Sequence, residues 1–221
     1  MQRSINFNTL ERILSKERLS PYLLKHSNDY QKAIDHYKAN IRISEAFYSP
    51  IAILEVGLRN NIDFQLQRKY STTEWFNHPG FIKIITSFQI ERIQEARTII
   101  LREKKSITSG KIIAELSFSF WTSLFDQKFE KSLWQQLRLA FPHCPKNIRK
   151  RRTISRKLNG IRKLRNRIFH HEPISWNFDA LKSYRNEIIE GIDWLNSDLS
   201  LIFNDIFRLD KILAQERSKI M

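Results

Sequence analysis

The chain has 221 residues, long enough for one sizeable domain, and its 38 Lys and Arg against 23 Asp and Glu give a formal net charge of +15. A single cysteine, Cys144, excludes an internal disulfide and is typical of a reducing compartment. The sequence has no apolar signal-peptide core and no apolar run of membrane-spanning length, so we expect a cytoplasmic protein with no membrane partner.

Helical periodicity and capping signals predict the first elements in chain order. A short helix is expected over residues 9–18 and is expected to close at Pro21. Ser27 is a plausible N-cap for the next helix, which carries Tyr37 and Ile41 at core-facing spacing. Pro50, directly after a serine, is typical of the first position of a new helix. A long helix over about 81–105 is predicted to follow.

Sequence patterns predict further helices in the second half of the chain. The segment 111–125 is apolar nearly all round and is expected to form a helix at the centre of the core. A shorter helix over 129–141 follows, and then a basic helix for which Thr153 is a candidate cap. Asn177 is a candidate cap for a helix through Leu195, and a last helical piece begins near residue 199.

The predicted fold class is therefore all-α, because few glycines and prolines accompany many helix-forming residues and no alternating run is long enough for a sheet. No linker-like segment divides the chain. We expect a single all-helical domain over residues 1–221, with N-terminal helices over about 1–105 and a motif-bearing half over about 106–221.

The positive charge is concentrated in the second half, since no acidic residue occurs from Lys131 to His171. Such one-sided charge indicates a polyanionic partner, and nucleic acid fits better than an anionic membrane surface. A solvated basic face is the simpler alternative. The candidate RNA-binding residues are Lys150, Arg151, Arg152, Arg156, Arg162, Lys163 and Arg167.

The basic helix ends in the segment 163–174, KLRNRIFHHEPI. Five apolar residues of this helix fall on one arc of a helical wheel: Ile154, Leu158, Ile161, Leu164 and Ile168. Arg165 lies inside that arc, where a guanidinium is costly unless it is paired or lines a cleft. Asn166 and His170 lie one turn apart on the adjacent face. Pro173 requires the helix to end by Glu172.

Several chemistries are excluded by missing patterns. The chain contains no P-loop, no cysteine–histidine spacing suited to zinc, no serine nucleophile elbow and no carboxylate cluster in its basic half. We therefore expect no metal and no cofactor. RNA carries its own nucleophile, the 2′-hydroxyl, so metal-free cleavage needs a group for proton transfer and a cation for the phosphate. His170 and Arg165 are the candidates.

Three blocks of the sequence resemble the Abi-like (abortive infection) family of the HEPN superfamily. The segment RNRIFH over 165–170 matches that superfamily's R-x4-6-H motif, and HEPI over 171–174 is similar to the Abi-like form. ILEVGLRNNI over 53–62 resembles the family's N-terminal helix. GKIIAELSFSFW over 110–121 is similar to its middle block, although Ser119 stands where glycine is expected.

The resemblance implies a HEPN-like helical bundle with additional N-terminal helices, acting as a metal-independent endoribonuclease in phage defence or as a toxin. It implies phosphate binding for Arg165, acid–base catalysis for His170 and positioning for Asn166. His171 and Glu172 are secondary candidates. A homodimer with the active site at its interface is expected, and a protein or RNA antitoxin is a possible further partner.

Glu55 and Arg59 are candidates to brace the motif helix. Two other functions stay open. The first is a non-catalytic RNA- or nucleotide-binding HEPN protein. The second is a DNA-binding helical regulator, and this function leaves Arg165 and His170 without a role.

Overall fold

The computed structural model describes residues 7–220, apart from the side chain of Asn8. Within this range the chain forms twelve α-helices, four 3-10 turns and no strand, which confirms the all-α prediction. The α-helices are α1 Phe7–Leu14, α2 Lys16–Lys25, α3 Tyr30–Tyr70, α4 Pro79–Ile82, α5 Ser87–Arg102, α6 Ser109–Glu115, α7 Phe118–Ser123, α8 Glu130–Leu137, α9 Arg151–Phe169, α10 Phe178–Leu195, α11 Leu199–Ile202 and α12 Leu209–Ile220. No helix of this described range is long and apolar enough to cross a membrane.

The helices form two compact units. Unit 1 comprises the described residues of 1–49, 164–186 and 205–221, and unit 2 comprises 50–163 and 187–204. Each unit thus combines segments from both halves of the chain. The expectation of a single domain over the whole chain stays a prediction.

Helix α3 is continuous over 41 residues, so the predicted start of a new helix at Pro50 is wrong. A proline inside a helix removes one backbone hydrogen bond, but buried side chains on both sides of it stabilise the helical path. Phe47 and Ile51, which flank Pro50, are almost completely buried. The start of α3 also differs from the prediction, because Asp29 accepts from the backbone N–H of Lys32 at 3.1 Å and caps the helix in place of Ser27.

Helix α2 runs through Pro21, and this contradicts the predicted helix end there. The proline leaves the carbonyl of Glu17 without its usual N–H partner. The hydroxyl of Ser20 donates to that carbonyl at 3.4 Å and replaces part of the lost bond.

The apolar segment 111–125 is not one helix, because it breaks between α6 and α7. Leu116 takes an extended backbone conformation, and Ser117 caps α7 by accepting from the N–H of Phe120. The buried indole of Trp121 donates to the carbonyl of Leu116 at 3.1 Å. Polar groups exposed by the break are thus satisfied locally. The predicted long helix over 81–105 likewise separates into α4 and α5, which are joined by residues 83–86, and Thr86 in this connection is extended.

The core of unit 2 is aromatic. Trp75 packs edge-on against Phe81 at 4.8 Å between ring centroids, and its ring centroid lies 6.0 Å from that of Trp121. Phe120 packs edge-on against Trp121 at 5.1 Å. These four side chains are fully buried. Edge-to-face packing fixes ring orientation as well as excluding water, so this cluster specifies the arrangement of short helices around it.

Unit 1 contains a buried histidine, His36, in an aromatic and polar setting. Its Nε2 lies 3.0 Å from the hydroxyl of Ser175, and its Nδ1 lies 2.9 Å from Nε2 of His26. The ring packs edge-on against Tyr22 and Trp176. Burial lowers the pKa of His36 to about 4, and repulsion from His26 and Lys25 acts in the same direction.

The stability of the protein is therefore expected to fall on mild acidification. His36 has a pKa near 6.5 when unfolded and about 4 when folded, so between these values the unfolded state binds more protons. We expect the free energy of unfolding to decrease by about 2 kcal/mol from pH 7 to pH 5, measured by urea denaturation. This loss of stability between pH 7 and pH 5 should be smaller in His36→Gln. It should persist in His143→Gln, a variant of an exposed histidine. Equal pH dependence in the two variants would contradict this assignment.

Candidate functional site

Helix α9 carries the predicted motif. All five apolar residues of its predicted stripe are buried, which confirms the helical phase. Arg165 is half-buried on this helix, and its guanidinium carbon lies 4.2 Å from the centroid of the Phe169 ring, one turn further on. Stacking on an aromatic face is a favourable setting for a guanidinium, because the ring face is electron-rich. This contact accounts for part of the tolerance of a cation on the apolar side of α9.

The end of α9 is a Schellman motif. The helix ends at Phe169, and the N–H of His170 still bonds to the carbonyl of Asn166 at 2.9 Å. The N–H of His171 then bonds to Ile168 at 3.0 Å and that of Glu172 to Arg167 at 2.8 Å. These two bonds close a helix end around a left-handed residue. His170 and His171 therefore lie just beyond the last helical residue, and both side chains are exposed.

His171 is the left-handed residue of this cap, with a φ of 56°. Glycine is the usual residue there, because a Cβ is strained at positive φ. We expect His171→Gly to raise the free energy of unfolding by about 0.5–1 kcal/mol. The substitution relieves the backbone strain of the folded state, and this gain exceeds the loss from a more flexible unfolded chain. His171→Ala, which also lacks the imidazole, should give no such gain. Equal stabilities of the two variants in thermal unfolding would argue against the left-handed cap.

Two arginine side chains bond to the backbone around the cap. Arg167 forms an ion pair with Glu172 at 3.3 Å and also donates to the carbonyl of Pro173. Arg18 donates to the carbonyl of His171 at 2.7 Å. Arg167 was predicted to bind RNA and Glu172 to support catalysis, and the structure brings the two together as a brace of the helix end.

Asn40 is a site-supporting residue that sequence reasoning missed. It is buried on α3, and its Oδ1 accepts from the N–H of Ile174 at 2.7 Å and of Ser175 at 3.1 Å. Its Nδ2 donates to the carbonyl of Glu172 at 3.4 Å. One side chain thus satisfies two buried backbone donors directly after the motif. It fixes the path of the chain that leaves His171.

A pocket of about 610 Å³ lies within unit 1, directly beside the motif. Helix α3 and the end of α9 form its walls, and its lining residues are Tyr37, Asn40, Ile41, Ser44, Glu45, Tyr48, Ile168, Phe169 and His171. The lining is mainly apolar and aromatic with a few polar groups, which is the usual character of a small-ligand site. Ile168, Phe169 and His171 are the residues at the end of α9 and directly after it that line this pocket.

Apart from Arg167, which is paired with Glu172, the predicted RNA-binding residues divide into two groups. Arg151 is paired with Glu130 at 2.9 Å and donates to the carbonyl of Phe125, and Arg162 donates to the side chain of Asn159. These two arginines are structural in unit 2. A second group is exposed and belongs to no ion pair within the described part of the chain: Lys150, Arg152, Arg156 and Lys163. Of these, Arg152, Arg156 and Lys163 follow helical spacing on one face of α9.

The two candidate bracing residues lie on the part of α3 that belongs to unit 2. Both are half-buried, and Arg59 donates to the carbonyl of Ala114 at 3.4 Å and to the side chain of Asn60 at 3.3 Å. Its role is thus at least partly local to unit 2. The proposed bracing of the motif helix by Glu55 and Arg59 stays a prediction.

No group of three or more His, Cys, Asp or Glu side chains among the described residues is placed to hold a metal ion. The lone thiol, Cys144, is buried, and burial raises its pKa. A raised pKa suppresses the thiolate, so this cysteine is a poor nucleophile and metal ligand.

Comparisons of the chain with protein-family models, with curated proteins and with solved structures returned no match.

Proposed function

We propose that this protein is a metal-independent endoribonuclease that cleaves RNA by attack of the 2′-hydroxyl on the adjacent phosphorus. The observation that carries the proposal is the end of α9, where Arg165 stacks on Phe169 and His170 is exposed directly after the helix. A hydrogen-bonded cap holds this end, and a ligand-sized pocket lies beside it. Preorganised groups of this kind are what phosphoryl chemistry without a metal requires.

In the proposed reaction the 2′-oxygen forms a bond to phosphorus while a general base takes its proton. The bond from phosphorus to the 5′-oxygen breaks, and a general acid protonates that oxygen, which leaves a 2′,3′-cyclic phosphate and a 5′-hydroxyl. The side chain of Arg165 holds the non-bridging oxygens, whose negative charge grows in the transition state. His170 performs one of the two proton transfers, and Asn166 positions the phosphate.

The second proton transfer favours a homodimer. Arg165 and His170 are five residues apart, which corresponds to about 140° around the helix axis and roughly 7.5 Å along it. A single helix end therefore offers no second proton-transfer group across the phosphate from His170. A two-fold axis that pairs two helix ends supplies the second imidazole on the opposite side.

The exposed cations of α9 support RNA as the substrate. Arg152, Arg156 and Lys163 follow one another along the helix that carries the motif, and phosphates are bound mainly through such charges. The proposed biological role is that of a cytoplasmic abortive-infection effector or toxin, restrained by a protein or RNA antitoxin.

The test is incubation of purified protein with end-labelled RNA in excess EDTA, followed by analysis of the cleaved ends. We expect cyclic phosphate ends and a loss of about 10²–10³-fold in rate for Arg165→Ala, because one charge-stabilising donor is removed. Arg102→Ala removes an exposed arginine of α5 and is purified in the same way, so it serves as the control for a contaminating nuclease. Cleavage that requires a divalent ion, or that is equally fast in both variants, would contradict the proposal.

A non-catalytic RNA- or nucleotide-binding protein is the second candidate, and the aromatic pocket of unit 1 favours it. The same assay separates the two functions. Tight binding of RNA that stays whole, with and without divalent ions, would support the binding protein and reject the nuclease.

A further inference from the structure

The pocket of unit 1 has an exposed apolar wall, and apart from Phe169, which carries the Arg165 guanidinium, the proposed chemistry does not use it. Ile41, Tyr48 and Phe169 are 49%, 58% and 44% exposed, and all three line this pocket. The rings of Tyr48 and Phe169 lie 6.1 Å apart between centroids and are tilted by 41°. Three large apolar side chains exposed at one place mark a binding surface, since isolated ones are common but clusters are not.

The polar groups of the pocket restrict what it can bind. Glu45 lies on the same face of α3 as Tyr48 and Ile41 and is exposed to the pocket. Its carboxylate repels a phosphate, so the pocket itself is not a phosphate site. An apolar helix packed over it would bury that carboxylate without a partner, which is costly. A flat ligand that carries N–H donors satisfies both the aromatic rings and the carboxylate.

We propose that this pocket binds an unpaired guanine base of the RNA, and the proposal rests on the proposed function. Guanine offers two adjacent donors, N1–H and the N2 amino group, which match the two oxygens of the Glu45 carboxylate. Adenine and cytosine present only one amino donor on that edge, and uracil one imino donor. Stacking on Tyr48 or Phe169 supplies affinity, because every base has a π-face, and Glu45 supplies the selection.

The position of the pocket allows one nucleotide to place its base there and its phosphate at Arg165. Phe169 carries the Arg165 guanidinium at 4.2 Å and also lines the pocket, and His171 adjoins His170 in sequence and lines it as well. A nucleotide whose phosphate lies at Arg165 therefore has its base within reach of the pocket. Cleavage next to guanosine is the expected sequence preference.

The test is binding of labelled seven-nucleotide RNAs in which every sugar carries 2′-fluorine, so that no strand can be cleaved whether or not the protein is a nuclease. The strands are uridines with a central guanosine, inosine, adenosine or cytidine, and fluorescence anisotropy gives each dissociation constant. We expect guanosine to bind about tenfold more tightly than inosine, which lacks the N2 amino donor. Tyr48→Ala should weaken binding of all four strands about tenfold or more.

Glu45→Gln is the decisive variant, and it should bring the guanosine-to-inosine ratio close to one. Glu91→Gln and Phe64→Ala are the matched controls, since both side chains are exposed in unit 2, and they should leave the ratio and the affinities unchanged. A ratio near one in the unmodified protein, or a ratio that Glu45→Gln preserves, would reject the guanine pocket.

The experiments test the guanine pocket and the nuclease activity separately. Cleavage of ordinary RNA in EDTA without guanine preference overturns the pocket and leaves the nuclease. Guanine preference without cleavage overturns the nuclease and leaves the pocket. A dimer that becomes monomeric in Tyr48→Ala, while the affinities for all four strands stay unchanged, would show that a second copy occupies the pocket and would also reject the proposal.

Discussion

Replacing His170 by alanine is expected to lower the rate of RNA cleavage by about 10²–10⁴-fold, the usual contribution of a positioned acid–base group. The binding of uncleavable RNA should change little, because the exposed cations of α9 remain. The effect should therefore fall on the turnover rate and not on affinity. Single-turnover cleavage of end-labelled RNA in EDTA gives the rate directly.

The control for this substitution is His143→Ala. His143 is exposed in the loop between α8 and α9 and lies in unit 2. Both variants remove an exposed imidazole, so their free energies of unfolding should stay within about 0.5 kcal/mol of the parent protein. A similar loss of cleavage in the two variants, or none in His170→Ala, would remove His170 from the mechanism.

Replacing Asn40 by alanine is expected to lower the free energy of unfolding by about 3 kcal/mol. The substitution leaves the N–H groups of Ile174 and Ser175 buried without an acceptor, and each unsatisfied donor costs about 1–3 kcal/mol. For a chain of this length each kcal/mol corresponds to about 2–4 °C in melting temperature. Calorimetry or circular dichroism measures the shift, and RNA cleavage should fall too, because the chain after His171 loses its anchor.

Asn147→Ala is the matched control, since Asn147 is exposed in the loop before α9. Its melting temperature should stay close to that of the parent protein. If Asn40→Ala melts at the same temperature as this control, the hydrogen bonds of Asn40 do not contribute to stability as described.

Sequence patterns predicted the features that depend on local periodicity. The apolar stripe from Ile154 to Ile168 repeats with the helical period, and all its members are buried. Asn177 was predicted as a cap, and it accepts from the N–H of Ala180 at 2.9 Å. Thr153 was predicted as the cap of α9 but lies inside it, because the helix begins two residues earlier. Boundaries depend on single hydrogen bonds and are therefore the less predictable part.

The errors arose where long-range packing outweighs local preference. Pro21 and Pro50 lie inside helices that tertiary contacts stabilise, and no sequence window contains those contacts. Ile41 has core-facing spacing on α3 and yet lines an open pocket. Asn40 resembles any exposed asparagine in sequence, since only the folded chain places two N–H groups at its oxygen. The resemblance that we noted in the sequence covers the segment 165–174 but gives no indication of the pocket beside it.

The acid-free stretch was predicted to be a region of unbalanced charge. Carboxylates from flanking segments neutralise part of it, since Arg151 pairs with Glu130 and Lys157 with Glu190 at 2.6 Å. Arg167 pairs with Glu172. A count of charges along the chain does not detect ion pairs between distant segments. The exposed basic surface is therefore smaller than the composition indicates.

Trp176 gives unit 1 an optical signal of its own. It is the only tryptophan of that unit, because Trp75, Trp121, Trp134 and Trp194 all belong to unit 2. Its ring centroid lies 4.9 Å from that of His36. A protonated imidazole in contact with an indole quenches its fluorescence, whereas the neutral ring does so far less. The difference in emission between the protein and its Trp176→Phe variant would thus report the protonation of His36 without any added label.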